Sequence, residues 1–476
     1  MGPARGDPVS VAASLGDAPE GAPSEREVGQ QRAVSPPDAH GGSLVRPHAC
    51  NDVGDRRKGA TNSVAVFIRQ LTGIRFVAAL WVLLYHLQGP LNTMGVMAIP
   101  VLNDVIRVGR LGVDLFFALS GFILTHTYIN KMGGRLAAGA TLEFWWLRLA
   151  RIYPVHFVML NIAGLAIVAQ ALITGVDRER PWLNPVDYVR NLLLVQEWGP
   201  HPSRGWNIVA WSLSMEWLAY LIFPLLILVL LALHKRVAMP VLIVAWFVAL
   251  LPLLIRGSYT VDPYYTDLWG SVVRVLTEFT AGAITYLIVL RFIPEGASDP
   301  HQRVERLATT VSVVMPILVV AGAVFLGRWS GAQSPITLND PEAEPLPPFF
   351  HLWLVPLLIV WIGALALSRR GQARWLATDT LILGGVVSYS LYMTHLVWFG
   401  VWRAGMNALG IEAGILFAIA WIVGIAGAFI VAWLMWRIVE EPCRRVMRRA
   451  VGVKPVAPEE TTADPDAKKD NAVTDR

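Results

Sequence analysis

The chain has 476 residues, of which 54% are hydrophobic and only 16% charged, and its mean hydropathy is +0.49. A soluble globular protein is far less apolar, so that class is excluded, and the formal net charge of +5 reads as membrane orientation rather than nucleic-acid binding. Two cysteines, Cys50 and Cys443, stand beside opposite ends of the apolar region, which rules out a disulfide scaffold or a CxxC redox pair.

Residues 1–67 are rich in Gly, Pro, Ser and charge, carry no sustained period, and read as a disordered extension. No apolar stretch precedes residue 60, so a cleaved signal peptide is not expected, and the opening MGPARG lacks the Ser or Thr of a myristoylation signal. Apolar blocks near 71–90, 110–130, 154–174, 207–232, 237–255, 268–290, 309–327, 351–367, 381–400 and 412–436 then predict about ten membrane spans. The fold class is an all-α polytopic membrane protein with one membrane domain over 68–449, followed by a polar tail over 450–476. Ten spans put both termini on one side. Lys131, Arg135, Arg148 and Arg151, then Lys235 and Arg236, then Arg369, Arg370 and Arg374, and last Arg437, Arg444, Arg445, Arg448 and Arg449 occupy the connections of that side, which identifies it as cytoplasmic.

An ionisable residue within a span is costly unless paired or hydrated, so each needs a reason. In LTGIRFVAALWVLLYHLQG, Arg75 and His86 are eleven positions apart, which places them on one helix face about 16 Å apart along the axis. They suit the two ends of a long ligand, or else a snorkelling Arg and a structural His. In GRLGVDLFFALSGFILTHTY, Asp114 can orient an imidazole or cap the outer end of span two, while Ser120 and Gly121 allow another backbone close approach. In EFWWLRLARIYPVHF, Arg148 and Arg151 share a face suited to phosphates or to topology alone, and Pro154 suits the start of the next helix. In WNIVAWSLSMEWLAYLIFP, Ser212, Glu216 and Tyr220 make one polar stripe. Glu216 needs a partner, whether Arg75, a sugar hydroxyl or a relayed proton. Ser388, Ser390, Tyr392, Thr394 and His395 in SYSLYMTHLVWFG can line a cavity or serve packing. The histidines are scattered, so no metal is predicted, and the nucleotide-cradling glycine loops and the GxSxG elbow are absent from the sequence.

These segments together resemble the membrane acyltransferase type 3 family. Its R-x10-H pattern falls on Arg75 and His86, and its G-x-D-L-F-F-x-x-S-G-F segment on Gly112 to Phe122. Its R-x-x-R-x-x-P element falls on Arg148, Arg151 and Pro154, W-S-L-x-x-E on Trp211 to Glu216, and S-Y-S-L-Y-x-x-H on Ser388 to His395. The ending EEPCRR, with Glu441 and Pro442, fits as well. The likeness runs from about 68 to 449 in the expected order, and the N-terminal extension stands outside it.

The resemblance implies transfer of an acetyl or other short acyl group from acyl-CoA to a hydroxyl of a carbohydrate, cell-envelope glycan or glycolipid, or of a glycosylated natural product such as a macrolide. It implies His86, Asp114 and Glu216 as catalytic residues, with Asp114 assisting His86 as general base. Arg75, Arg148 and Arg151 would hold the donor's phosphates, and Ser120, Trp211, Ser212, Tyr220, Tyr392 and His395 would contact the acceptor. The expected partners are the lipid bilayer, acyl-CoA and the acceptor, without nucleic acid. The expected location is the plasma membrane of a bacterium, which the Ala-, Gly-, Val- and Arg-rich composition suits. The C-terminal tail is too short for an SGNH-type hydrolase domain, which argues against passing the acyl group to a fused extracytoplasmic transferase, and an acyl-histidine intermediate is the minority alternative to general-base transfer. A secondary transporter is the rival reading, but the inverted repeat it should carry is not evident in the sequence.

Overall fold

The computed structural model describes residues 52–452 apart from 133–136, 175–182, 199–205, 260–269, 295, 296, 298 and 330–349. Most of the two expected tails, and Arg135, lie outside the described residues. Helix is the only regular structure among those described, as a bilayer requires of a chain that must satisfy its backbone polar groups internally.

The chain opens with α1 (Asp52–His86), the short α2 (Gln88–Thr93) and α3 (Pro100–Arg107), and the central α4 (Leu111–Tyr128). It continues through α5 (Ala138–Thr174), α6 (Pro185–Leu192), α7 (Trp211–Arg236), α8 (Met239–Tyr259), α9 (Gly270–Leu290) and α10 (Gln302–Trp329). The last third holds α11 (Val355–Leu367), α12 (Gln372–Leu376), α13 (Asp379–Ala408), α14 (Gly414–Met435) and α15 (Glu441–Ala450). Eight described helical segments are long and apolar enough to cross a membrane, and they account for eight of the ten expected spans. The expected span at 351–367 is a shorter apolar helix, and the one at 71–90 is the end of α1, where Arg75 and His86 interrupt the apolar run. The chain is thus a multi-pass helical membrane protein.

The centre is α4 against α9. Both are buried along most of their length, whereas α8 and α10 bury only a minority of theirs and leave Val244, Phe247 and Ile317 outward, as a lipid-facing rim should. Gly121 lies directly against the Phe279 carbonyl and Gly282 against the Ala118 carbonyl, so that a Cβ at either position would strike backbone. This reciprocal small-residue contact brings the two helices together by the route expected inside a membrane, and it is the close approach that Gly121 predicts. Asp114 meets Arg274 near the start of the pair, and His126 Nδ1 lies 3.3 Å from the Tyr286 hydroxyl near its end, so α4 and α9 run in the same direction.

Two local features differ from a simple reading. Pro154 does not begin a helix: α5 runs through it, so the RxxR segment and the span at 154–174 form one continuous rod. Membrane helices tolerate such a proline because the carbonyl it frees is re-satisfied locally. Between α14 and α15, residues Trp436–Glu440 form a turn of π-helix. Pro442 has no N–H to offer the carbonyl four residues back, which favours a local change of hydrogen-bond register. The result is that Glu440 points inward and is fully buried.

Candidate active site

A cavity of about 390 Å³ opens among α1, α4, α5, α7, α13 and α15. Six basic side chains line it against two acidic ones, Glu143 and Glu216, so it is built for an anion. Three of the six are Arg75, Arg148 and Arg151, which the sequence assigns to the donor; Lys131, Arg444 and Arg448 complete the set. Ser120, Ser212, Glu216, Tyr220 and Tyr392 face the same space.

Each arginine is held by a different device. Arg151 pairs with Glu440, whose other oxygen accepts a 2.7 Å hydrogen bond from the Ser390 hydroxyl, and its guanidinium lies 5.5 Å from the centre of the Tyr389 ring. Arg148 sits in an aromatic recess, 5.7 Å from Tyr128, 5.8 Å from Phe144 and 6.0 Å from Tyr220. Arg75 lies 5.7 Å from the Phe116 ring. The Nε groups of Arg75, Arg148 and Arg448 are buried without a hydrogen-bond partner. Unmet guanidinium donors around one cavity are what a bound phosphate would satisfy.

Above the arginines, Glu216 Oε1 accepts a hydrogen bond from the Tyr220 hydroxyl, its neighbour one helical turn on, and another from Ser120 at 3.3 Å. The Tyr220 backbone carbonyl accepts 3.1 Å from Trp145, which ties α7 to α5. Deeper still, the Tyr392 hydroxyl is 2.8 Å from Ser212 Oγ and donates to the Val209 carbonyl at 3.1 Å.

His86 and His395 are not among the residues lining this cavity. They form a pair behind Tyr392, whose ring centre is 5.9 Å from that of His395. His395 Nε2 is 3.1 Å from His86 Nδ1, and the ring centres are 4.9 Å apart. His395 Nδ1 faces the Leu391 carbonyl at 3.1 Å, and His86 Nδ1 faces the Val82 carbonyl at 2.9 Å. Carbonyls only accept, so neutral His395 carries its proton on Nδ1 and presents an Nε2 lone pair to His86. That lone pair and the Val82 carbonyl both require the His86 proton on Nδ1, which leaves His86 Nε2 as a free base.

Asp114 corrects the sequence expectation. It does not orient His86: both its oxygens accept from Arg274, at 2.5 Å each, in a bidentate pair that is almost fully buried. The planar guanidinium fork matches the carboxylate edge to edge, a fit that an imidazole cannot supply. Glu278 adds a second carboxylate 3.6 Å from Arg274 Nε, and the Arg274 guanidinium lies 5.6 Å from the Trp211 ring. Trp211 therefore belongs to this buried cluster rather than to the cavity wall, and His395 faces His86 rather than the cavity. Of the twelve site residues read from sequence, the cavity gathers Arg75, Ser120, Arg148, Arg151, Ser212, Glu216, Tyr220 and Tyr392, and separates His86, Asp114, Trp211 and His395 from them.

Sequence reading missed Arg274 and Glu278, although both are ionisable residues in an apolar span and the rule that singles out Asp114 applies to them equally. It quoted Glu440 and Arg444 only within the EEPCRR ending, without a role, and otherwise read Arg444 and Arg448 as topology. Among the described residues no group of three or more His, Cys, Asp or Glu could hold a metal ion.

Residues 68–437 match the acyltransferase type 3 family, described as an acyltransferase domain. The chain is similar to the acyltransferase MdmB of Streptomyces mycarofaciens, with 27% identity over 82% of this chain and 95% of that protein. It is also similar to the O-acetyltransferase OatA of Staphylococcus aureus, with 24% identity over 69% of this chain but only 50% of OatA's length. No solved structure matches the chain significantly. With most of its length matched and its helices, cavity and motif residues laid out as above, the chain belongs to the acyltransferase type 3 family of membrane O-acyltransferases.

Proposed function

We propose that the protein transfers an acetyl or other short acyl group from acyl-CoA to a hydroxyl of a carbohydrate, cell-envelope glycan or glycolipid. The observation that carries this reading is one cavity lined by six basic side chains and by the hydroxyls of Ser120, Ser212, Tyr220 and Tyr392, with the histidine pair next to Tyr392, whose ring centre is 5.9 Å from that of His395. Arg75, Arg148 and Arg151 hold the phosphates of the donor. The pantetheine arm, roughly 15–20 Å long, then reaches inward over about the 16 Å rise that separates Arg75 from His86 on α1. Tyr392 lines the cavity and packs beside His395, so in this reading its ring turns aside when the donor binds and lets the reacting groups reach His86.

Chemistry then follows from the tautomer. His86 Nε2 takes the proton of the acceptor hydroxyl as its oxygen attacks the thioester carbonyl; the carbon–sulfur bond breaks, and the thiolate recovers that proton from His86. His395 stabilises the imidazolium formed midway, because its Nε2 lone pair accepts from His86 Nδ1–H. Its role is thus to position and support the base rather than to touch the acceptor. Glu216, with Tyr220 and Ser120, offers a carboxylate and hydroxyls to the sugar. Asp114, held by Arg274, supports the fold around α4. The membrane domain is taken as 68–449, with both termini cytoplasmic in a bacterial plasma membrane.

The test is transfer of label from radiolabelled acetyl-CoA by purified protein supplied with a host cell-envelope extract. Label appearing in a glycan or glycolipid supports the reading and exposes the acceptor by mass analysis. Label that stays on acetyl-CoA while the protein carries a solute across vesicles replaces it with a transporter.

A further inference from the structure

The family match ends at residue 437, yet α15 begins at Glu441 and sends Arg444 and Arg448 into the cavity. One turn apart, they share one face of the helix, while Arg445 and Arg449 stand exposed. Arg444 donates to Glu441, which also accepts from Arg445 at 2.8 Å, so its charge is partly answered within α15. Arg448 is different: its Nε is buried and has no hydrogen-bond partner. The helix is fixed against α5 by Trp146, whose Nε1 donates 2.7 Å to the Met447 carbonyl, two residues from Arg148 in sequence. The π-turn before α15, with Glu440 clamped to Arg151, sets the angle at which α15 crosses the mouth.

We infer that Arg444 and Arg448 of α15, which line the cavity together with Arg148 and Arg151 of α5, extend its phosphate-binding wall and take a terminal phosphate of the donor's nucleotide end. The inference rests on the donor reading above. A phosphate monoester or diphosphate is the group whose several acceptor oxygens match guanidinium donors arriving from two helices. An inner-leaflet lipid headgroup carries the same chemistry, so the experiment separates the two sources. The exposed Arg445 and Arg449, on the same helix and of the same charge, are the residues placed to meet headgroups, and they serve as the control.

Equilibrium binding of acetyl-CoA, of its 3′-dephospho form and of inorganic pyrophosphate is measured on protein in phosphatidylcholine nanodiscs, with and without phosphatidylglycerol. Arg444 and Arg448 are half-buried, so the thermal unfolding midpoint of each variant is measured beside binding, and Arg448→Lys serves as the conservative variant. Arg444→Gln/Arg448→Gln is expected to weaken acetyl-CoA and pyrophosphate by about tenfold or more and to erase the preference for acetyl-CoA over its dephospho form. Arg448→Lys should fall between, and Arg445→Gln/Arg449→Gln should bind as the parent does. A deficit confined to discs with phosphatidylglycerol, or equal in the control pair, overturns the inference in favour of a headgroup. Parental acetyl-CoA binding by the double variant overturns it and leaves the donor reading standing. Arg448-dependent binding of pyrophosphate by a protein that binds no acyl-CoA sinks the donor reading and leaves the phosphate subsite.

Discussion

The base nitrogen of His86 owes its lone pair to two acceptors on the other side of the ring, the Val82 carbonyl and His395 Nε2. Both contacts strengthen when the ring becomes charged, but His395 is the acceptor that a side-chain substitution can remove, so it is the one whose support can be measured. Replacing His395 with Gln is expected to lower kcat about tenfold or more, the worth of one hydrogen bond to a charged group, while KM for acetyl-CoA stays within about twofold. Steady-state kinetics checks this, and a rise in KM with kcat unchanged would return His395 to ligand binding. At this scale the sequence marked eight residues that line one cavity and was poor about whom the others meet. Arg75 and His86 lie on one helix, so periodicity places them relative to each other. His86 and His395 lie more than three hundred positions apart on α1 and α13, and no periodicity within either span connects them.

Helix pairing explains the clearest departure from expectation. The α4–α9 contact combines two close glycine crossings with a buried Asp114–Arg274 ion pair, whose side chains are 0% and 2% exposed. Removing one member of such a pair costs up to about 3–5 kcal/mol, here softened on loss of Asp114 because the Glu278 carboxylate stays 3.6 Å from Arg274 Nε, whereas apolar replacement of the whole cluster is far better tolerated. Asp114→Asn should therefore lower the thermal unfolding midpoint in detergent, and Asp114→Leu/Arg274→Met/Glu278→Leu, which removes the whole buried cluster, should recover much of the loss. If Asp114→Asn leaves stability untouched and abolishes turnover alone, Asp114 is chemical rather than structural. Hydropathy located α4 and α9 correctly because burying backbone in lipid demands long apolar helices. It could not select α9 as the partner of α4, since lipid and a neighbouring helix are equally apolar surroundings; the glycines and the ion pair make that choice.

Across the whole molecule, the basic connections that predict orientation also supply the cavity. Lys131, Arg148, Arg444 and Arg448 come from connections assigned to one side, and the fold brings them to one mouth. Topology and donor binding thus draw on the same residues, which is why sequence alone could not divide one purpose from the other. Cys443, a free thiol on α15 beside that mouth, reports the orientation. In a Cys50→Ser variant, an impermeant maleimide should label inside-out vesicles and spare right-side-out ones; the reverse pattern would place the basic mouth outside and remove cytoplasmic acyl-CoA as its ligand.

As the proposed base of acyl transfer from acyl-CoA, His86 should govern the chemical step and leave donor binding alone. The most direct test of that role is acetyl-CoA binding and single-turnover transfer measured together on folded His86→Ala protein. Acetyl-CoA binding is expected within about twofold of the parent, with transfer slowed by about 10²–10⁴-fold, the usual contribution of a general base. Transfer at the parental rate would contradict that role.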